Sequence, residues 1–171
     1  MNPYISVVNQ KISFCDILLK EGILKSGFSE KVTHQLELVF SESALHQLKY
    51  AYINYLKEIG SVHKCKEVES IDSIENLNFA LEAIKKTSGE AQEINFLIQD
   101  QSSWLSQLLI QHKKLSSLPR QIIKKNDNRS ASLLDVKQLD DSMNLNFMLL
   151  DRWRKEFIEL ISRNRELMYE C

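Results

Sequence analysis

The apolar positions of this chain recur at intervals of three and four over long distances. The longest such stretch covers residues 29–59 and holds neither Gly nor Pro. Within it Leu38, Leu45, Leu48, Tyr52, Tyr55 and Ile59 fall three, four or seven apart, which is one stripe of an α-helix. A helix with a single oily stripe gains most of its stability by packing that stripe on other elements. Residues 3–24 predict a first helix, with Ile5, Val8, Ile12, Cys15 and Leu19 in line, Asn2 as its cap and Pro3 in its first turn. Gly22 and the Lys25-Ser26-Gly27 run predict its end, Ser29 caps the long helix, and Gly60 reads as its stop.

The polar stretch 61–70 predicts a loop. A third, shorter helix is expected from Ser70 or Asp72, where Asp72 and Glu75 resemble a capping box, with Ile71, Ile74, Leu77, Leu81 and Ile84 on one face. Thr87-Ser88-Gly89 separates it from a fourth helix over 90–116, lined by Ile94, Ile98, Leu105, Leu108 and Leu115. Asp100 to Ser103 is a weak point in that helix, because Ser and Asp side chains compete for local backbone hydrogen bonds, and Ser102 is placed to cap a second half. Pro119, Asn126-Asp127-Asn128 and Ser130-Ala131-Ser132 predict a long loop over 117–140. A last helix over 141–169 carries Leu150, Trp153, Phe157, Leu160 and Leu167, with Asn146 and Asn164 on the same line and Asp140 and Asp141 at its start. The expectation is an all-α single domain over 1–171: an antiparallel helical bundle of about five helices, four long and one short.

Composition agrees with that picture and narrows the function. Only 4 Gly and 2 Pro are present, too few to punctuate β-hairpins. A formal net charge of −1 gives no global field toward nucleic acid or an anionic membrane. Cys15, Cys65 and Cys171 are odd in number and far apart, which fits a reducing compartment better than a disulfide framework. No apolar run is long enough to span a bilayer, and the first residues lack the pattern of a signal peptide, so a cytoplasmic protein without a membrane span is expected.

Catalytic constellations are missing. Glu30 with His34 and Glu42 with His46 stand four apart on the long helix, whereas a di-iron bundle needs Glu-x-x-His on two helices, so helix-surface pairs are the expectation and no metal or cofactor is expected. Cys65 follows His63 and Lys64, but no third group orients it as a nucleophile, and Cys15 sits on an apolar stripe. Helical RNases of the HEPN type carry His five residues after an Arg; no Arg here has one. Neither GxxxxGK[ST] nor GxGxxG occurs. The strongest local charge bias is Lys113, Lys114, Arg120, Lys124, Lys125 and Arg129, opposed over 113–129 only by Asp127. Those cations suit phosphates, but no aromatic residue is interleaved to stack a base.

Three stretches, Asn2-Pro3-Tyr4 through Asn9-Gln10-Lys11, Ser103-Trp104-Leu105, and Trp153-Arg154 running to Arg165-Glu166, resemble a family of short bacterial helical proteins known only as a domain of unknown function. The resemblance brings no activity with it. The expectation is therefore a non-enzymatic protein acting through protein–protein contacts, with a homodimer as one form. Candidate contact residues are Asn9, Lys11, Tyr50, Trp104 and Trp153, together with the six basic residues of 113–129. Two other readings stand beside it: a nucleic-acid-associated protein using that basic stretch, and a small-molecule sensor with a pocket between helices near Trp104 and Trp153.

Overall fold

A computed structural model describes residues 2–25, 30–115 and 145–169, which form six α-helices and no strand. These are α1 (Pro3–Lys25), α2 (Glu30–Val62), α3 (Ile74–Ala83), α4 (Gly89–Gln99), α5 (Trp104–Leu115) and α6 (Phe147–Tyr169), with a 3-10 turn at Val68–Ser70. The expected loop over 117–140 lies outside the described residues.

Side-chain caps set where the helices begin. Asn2 Oδ1 accepts from the Tyr4 N–H at 3.1 Å, as expected for α1. Ser73, Ser88 and Ser103 cap α3, α4 and α5 by accepting from the N–H groups of Asn76, Ala91 and Ser106 at 3.3, 3.1 and 3.1 Å. The third helix is thus capped by Ser73, one residue past Asp72, which instead accepts from the Asn76 side-chain amide at 2.8 Å. The expected fourth helix is two helices. Asp100 Oδ1 accepts from the Ser102 N–H at 2.9 Å and turns the chain, so Ser103 rather than Ser102 provides the cap. Asn146 is likewise a cap, accepting from the Leu149 N–H at 2.9 Å, and α6 starts at Phe147 rather than near Asp141.

Gly22 and Gly60 do not end their helices. Both lie inside, buried, and α2 runs on to Val62. A Cβ at Gly22 would stand 2.5 Å from Phe147 Cζ and 3.1 Å from Phe40 Cβ; one at Gly60 would stand 2.6 Å from Ile71 Cδ1. Here glycine supplies close approach rather than an unusual turn. Gly22→Val should lower the unfolding free energy by about 1–3 kcal/mol through overpacking. Combining it with Phe147→Ala should cost less than the sum of the two single changes in denaturant titrations, because both act on one contact.

The bundle is antiparallel. Asn2 at the start of α1 reaches the backbone carbonyl of Glu58 near the end of α2, while Gly22 near the end of α1 meets Phe40 of α2 and Phe147 of α6. Thus α2 and α6 run one way and α1 the other. α5 runs with α1: Trp104 packs on Phe157, and His112 reaches His46 one bundle level higher. α2 is the central rod. Its Leu45, Leu48, Tyr52, Tyr55 and Ile59 are buried against Val8, Cys15 and Leu19 of α1, Leu105 and Leu108 of α5, and Trp153, Phe157 and Leu160 of α6. Leu38, Leu115 and Leu167, placed on these stripes by spacing, stand exposed near helix ends, where the stripe outruns its neighbours.

The connection from α2 to α3 is polar yet tied down. Glu69 accepts from the Tyr4 hydroxyl at 2.5 Å and pairs with Lys57 at 3.0 Å. That hydrogen bond is the main reason the Tyr4 hydroxyl is pushed up to about 12.

Candidate functional site

Glu58 is the one acid on the apolar line of α2 that runs Ala44, Leu48, Ala51, Tyr55, Glu58 at spacings of four and three, and it is fully buried. A buried carboxylate needs a cation and hydrogen bonds. Arg165 of α6 supplies both: its Nε and Nη2 donate to the two carboxylate oxygens, each at 2.8 Å. This is the bidentate fork geometry that a planar guanidinium favours. The remaining Nη1 donates to Asn9 Oδ1 at 2.8 Å, and Asn2 Nδ2 donates to the Glu58 carbonyl at 3.2 Å. Four side chains from α1, α2 and α6 thereby close one end of the bundle. Asn164, the neighbour of Arg165, is buried beside Tyr55; neither Tyr55 Oη nor Asn164 Nδ2 finds a well-aligned partner among the described residues. Burial raises the Tyr55 hydroxyl well above the ordinary phenol range. With its charges mutually satisfied, this cluster offers no free base or nucleophile.

The sequence candidates separate. Asn9 is exposed in the groove between α1 and α6 and accepts there from the outer nitrogen of Arg165. Lys11 sits over the Phe14 and Tyr50 rings at 5.4 and 5.9 Å, and Tyr50 is about half exposed, so these stay together on the outer flank of α1 and α2. Trp153 is sealed in the core, and Trp104 packs at 5.5 Å on Phe157, which also meets Tyr55 edge-on at 5.9 Å. Neither tryptophan lines any of the three surface grooves named below. Lys113 and Lys114 are exposed at the end of α5, while Arg120, Lys124, Lys125 and Arg129 lie outside the described residues.

His46 turns out to face across the bundle, with its Nδ1 2.9 Å from His112 Nε2 and the two rings edge to face. One nitrogen donates and the other accepts, which requires at least one neutral ring. Burial first, then His46 and Lys49, lower the pKa of His112. The folded protein therefore holds the His112 proton less tightly than the unfolded chain, so stability falls as pH drops below about 6.5. Thermal melts at pH 7.5 and 5.5 should show a lower midpoint at the acid value, and His112→Gln should shrink that difference.

Thiol chemistry is disfavoured at the described cysteines. Burial pushes Cys15 up to about 12, and it raises Cys65 with only partial relief from Lys86. Cys171 lies outside the described residues. Among the described residues no three His, Cys, Asp or Glu side chains come together to hold a metal, and no helix is long and apolar enough to cross a membrane.

The surface carries the remaining features. Phe79 on α3 and Phe96 on α4 are 74% and 72% exposed. Each stands one residue past an asparagine, and Asn78 and Asn95 join the two helices by reciprocal amide bonds of 3.2 and 3.4 Å. In antiparallel neighbours the residue after such a seam turns to the same side, so the two phenyl rings share one outer face. A groove of about 520 Å³ beside Phe79 is lined by Lys66, Glu67, Ala80, Ala83 and Ile84. A second, of about 360 Å³, runs between α1 and α6 past Asp16, Arg154 and Arg165. The third, of about 390 Å³, opens near His112.

Taken together, these features define an all-α antiparallel bundle with an apolar core, in which the buried Glu58–Arg165 pair ties α2 to α6. The whole chain, residues 1–171, matches a family of unknown function (DUF6586), and the protein belongs to that family. No curated protein and no solved structure matches it. The resemblance read from the Asn-Gln-Lys, Ser-Trp-Leu and Trp-Arg stretches is borne out as membership of a family of unknown function.

Proposed function

We propose that this is a non-enzymatic protein of the bacterial cytoplasm that works by docking a partner protein. The observation that carries the reading is the Phe79–Phe96 face. Two large aromatic side chains held in water on rigid helices are a standing hydrophobic cost, and aromatic residues are enriched where partners bind most tightly. The Asn78–Asn95 bonds support it by keeping the two helices, and so the two rings, at a fixed spacing. The buried thiols of Cys15 and Cys65 fit a reducing cytoplasm.

The test uses the full chain and its Phe79→Asp/Phe96→Asp variant. Both positions are exposed, so circular dichroism should show an unchanged helical content. In-cell crosslinking followed by mass spectrometry should recover a specific partner with the parent chain and at least tenfold less with the variant. Light scattering on the purified proteins shows whether that partner is a second copy, in which case a dimer mass reverts to a monomer mass on substitution. An interaction set unchanged by the double substitution would sink the proposal.

A further inference from the structure

Among the described residues Lys49, like Lys11, is a partly buried cation with no ion pair, and unlike Lys11 it lines a cleft. Arg154, Arg165 and Lys57 are each paired with a carboxylate, whereas no described carboxylate lies within ion-pair distance of Lys49. Its ammonium rests 4.8 Å from the centre of the Tyr52 ring. Burial lowers its pKa, and the fields of Asp72 and Glu75 only partly restore it. An ammonium that has lost water without gaining a counter-ion lacks a partner of opposite charge.

The room for that partner is present. Lys49 and Tyr52 of α2, Ser73, Ile74 and Glu75 at the start of α3, Ile98 of α4, and Leu109, His112 and Lys113 of α5 enclose a cleft of about 390 Å³, within the usual range for a small-molecule site. Its lining is mixed. Ile74, Ile98, Leu109 and Tyr52 supply apolar surface, and Lys49 and Lys113 supply two cations against the single carboxylate of Glu75, with His112 as a polar neighbour. The ten-residue helix α3 also begins at the cleft, and its positive end adds to the same field.

We propose that this cleft binds a small amphiphilic anion, a carboxylate carried on an apolar body, with Lys49 as the ion partner and the Ile98–Leu109 surface holding the body. Lys113 widens the positive side of the lining, and Glu75, within the same lining, disfavours a second negative charge on the ligand. The site is separate from the Phe79–Phe96 face, and its fate is independent of the docking role proposed above.

Octanoate serves as the probe, titrated into the full chain and followed by methyl NMR and calorimetry. The expected result is saturable one-to-one binding, with the largest shifts at the methyls of Ile74, Ile98 and Leu109. Octanol and octylamine should bind at least tenfold more weakly, and acetate should shift nothing. Lys49→Met, which keeps the apolar stem and removes the charge, should weaken octanoate at least tenfold. Leu109→Trp, which fills the cleft, should abolish binding while thermal melts report an intact fold. No saturable binding, equal binding of octanol or octylamine, or indifference to Lys49→Met would each overturn the proposal.

Discussion

Arg165→Ala is expected to lower the unfolding free energy by about 3–5 kcal/mol, because it strands a carboxylate inside the bundle. Glu58 is fully buried, and its two oxygens depend on the Nε and Nη2 donors of this one guanidinium. The converse change is gentler. In Glu58→Gln the cation left behind is about 20% exposed and turns partly to water. Chemical denaturation of both proteins measures the deficit, and a loss below about 1 kcal/mol would contradict it. Replacing both partners by apolar residues of similar size, as in Glu58→Leu/Arg165→Met, should be far milder than Arg165→Ala.

The second large effect is expected at Phe157. This ring is sealed in the core, meets Tyr55 edge-on at 5.9 Å and lies 5.5 Å from Trp104. It joins the central rod, α5 and α6 at one point. Phe157→Ala should cost about 3–5 kcal/mol through lost burial and the cavity left behind. Phe157→Leu keeps most of the volume and loses only the ring contacts, each worth about 0.5–1.5 kcal/mol, so its cost should be smaller. Trp104 fluorescence should shift to longer wavelength in the alanine variant as water enters.

What could be read in advance was the periodic part. Leu45, Leu48, Tyr52, Tyr55 and Ile59 are buried as their spacing requires, and the weak point at Asp100–Ser103 is a true break. The failures share a cause. Gly60 reads as a stop because nothing local shows that Ile71 needs the space its missing Cβ leaves. His46 reads as the partner of Glu42 because that pair is one turn away, whereas its contact with His112 spans 66 residues of chain. Arg165 and Glu58 are 107 residues apart. One signal for that pair was present: Glu58 interrupts an apolar line, and an acid there demands a cation from some other helix. Which arginine answers is set by the packing of α6, which no local pattern reveals. Phe79 and Phe96 carry no periodic signal at all, since their exposure runs against it.

The Glu58–Arg165 bond also bears on how the chain is made. Synthesis delivers the acid early and its guanidinium only within α6, after the other five described helices. A chain cut short before that helix can align its first two rods, but it does so around an unneutralised charge and without the aromatic ring that seals the middle. Products truncated before α6 should therefore remain open to proteases.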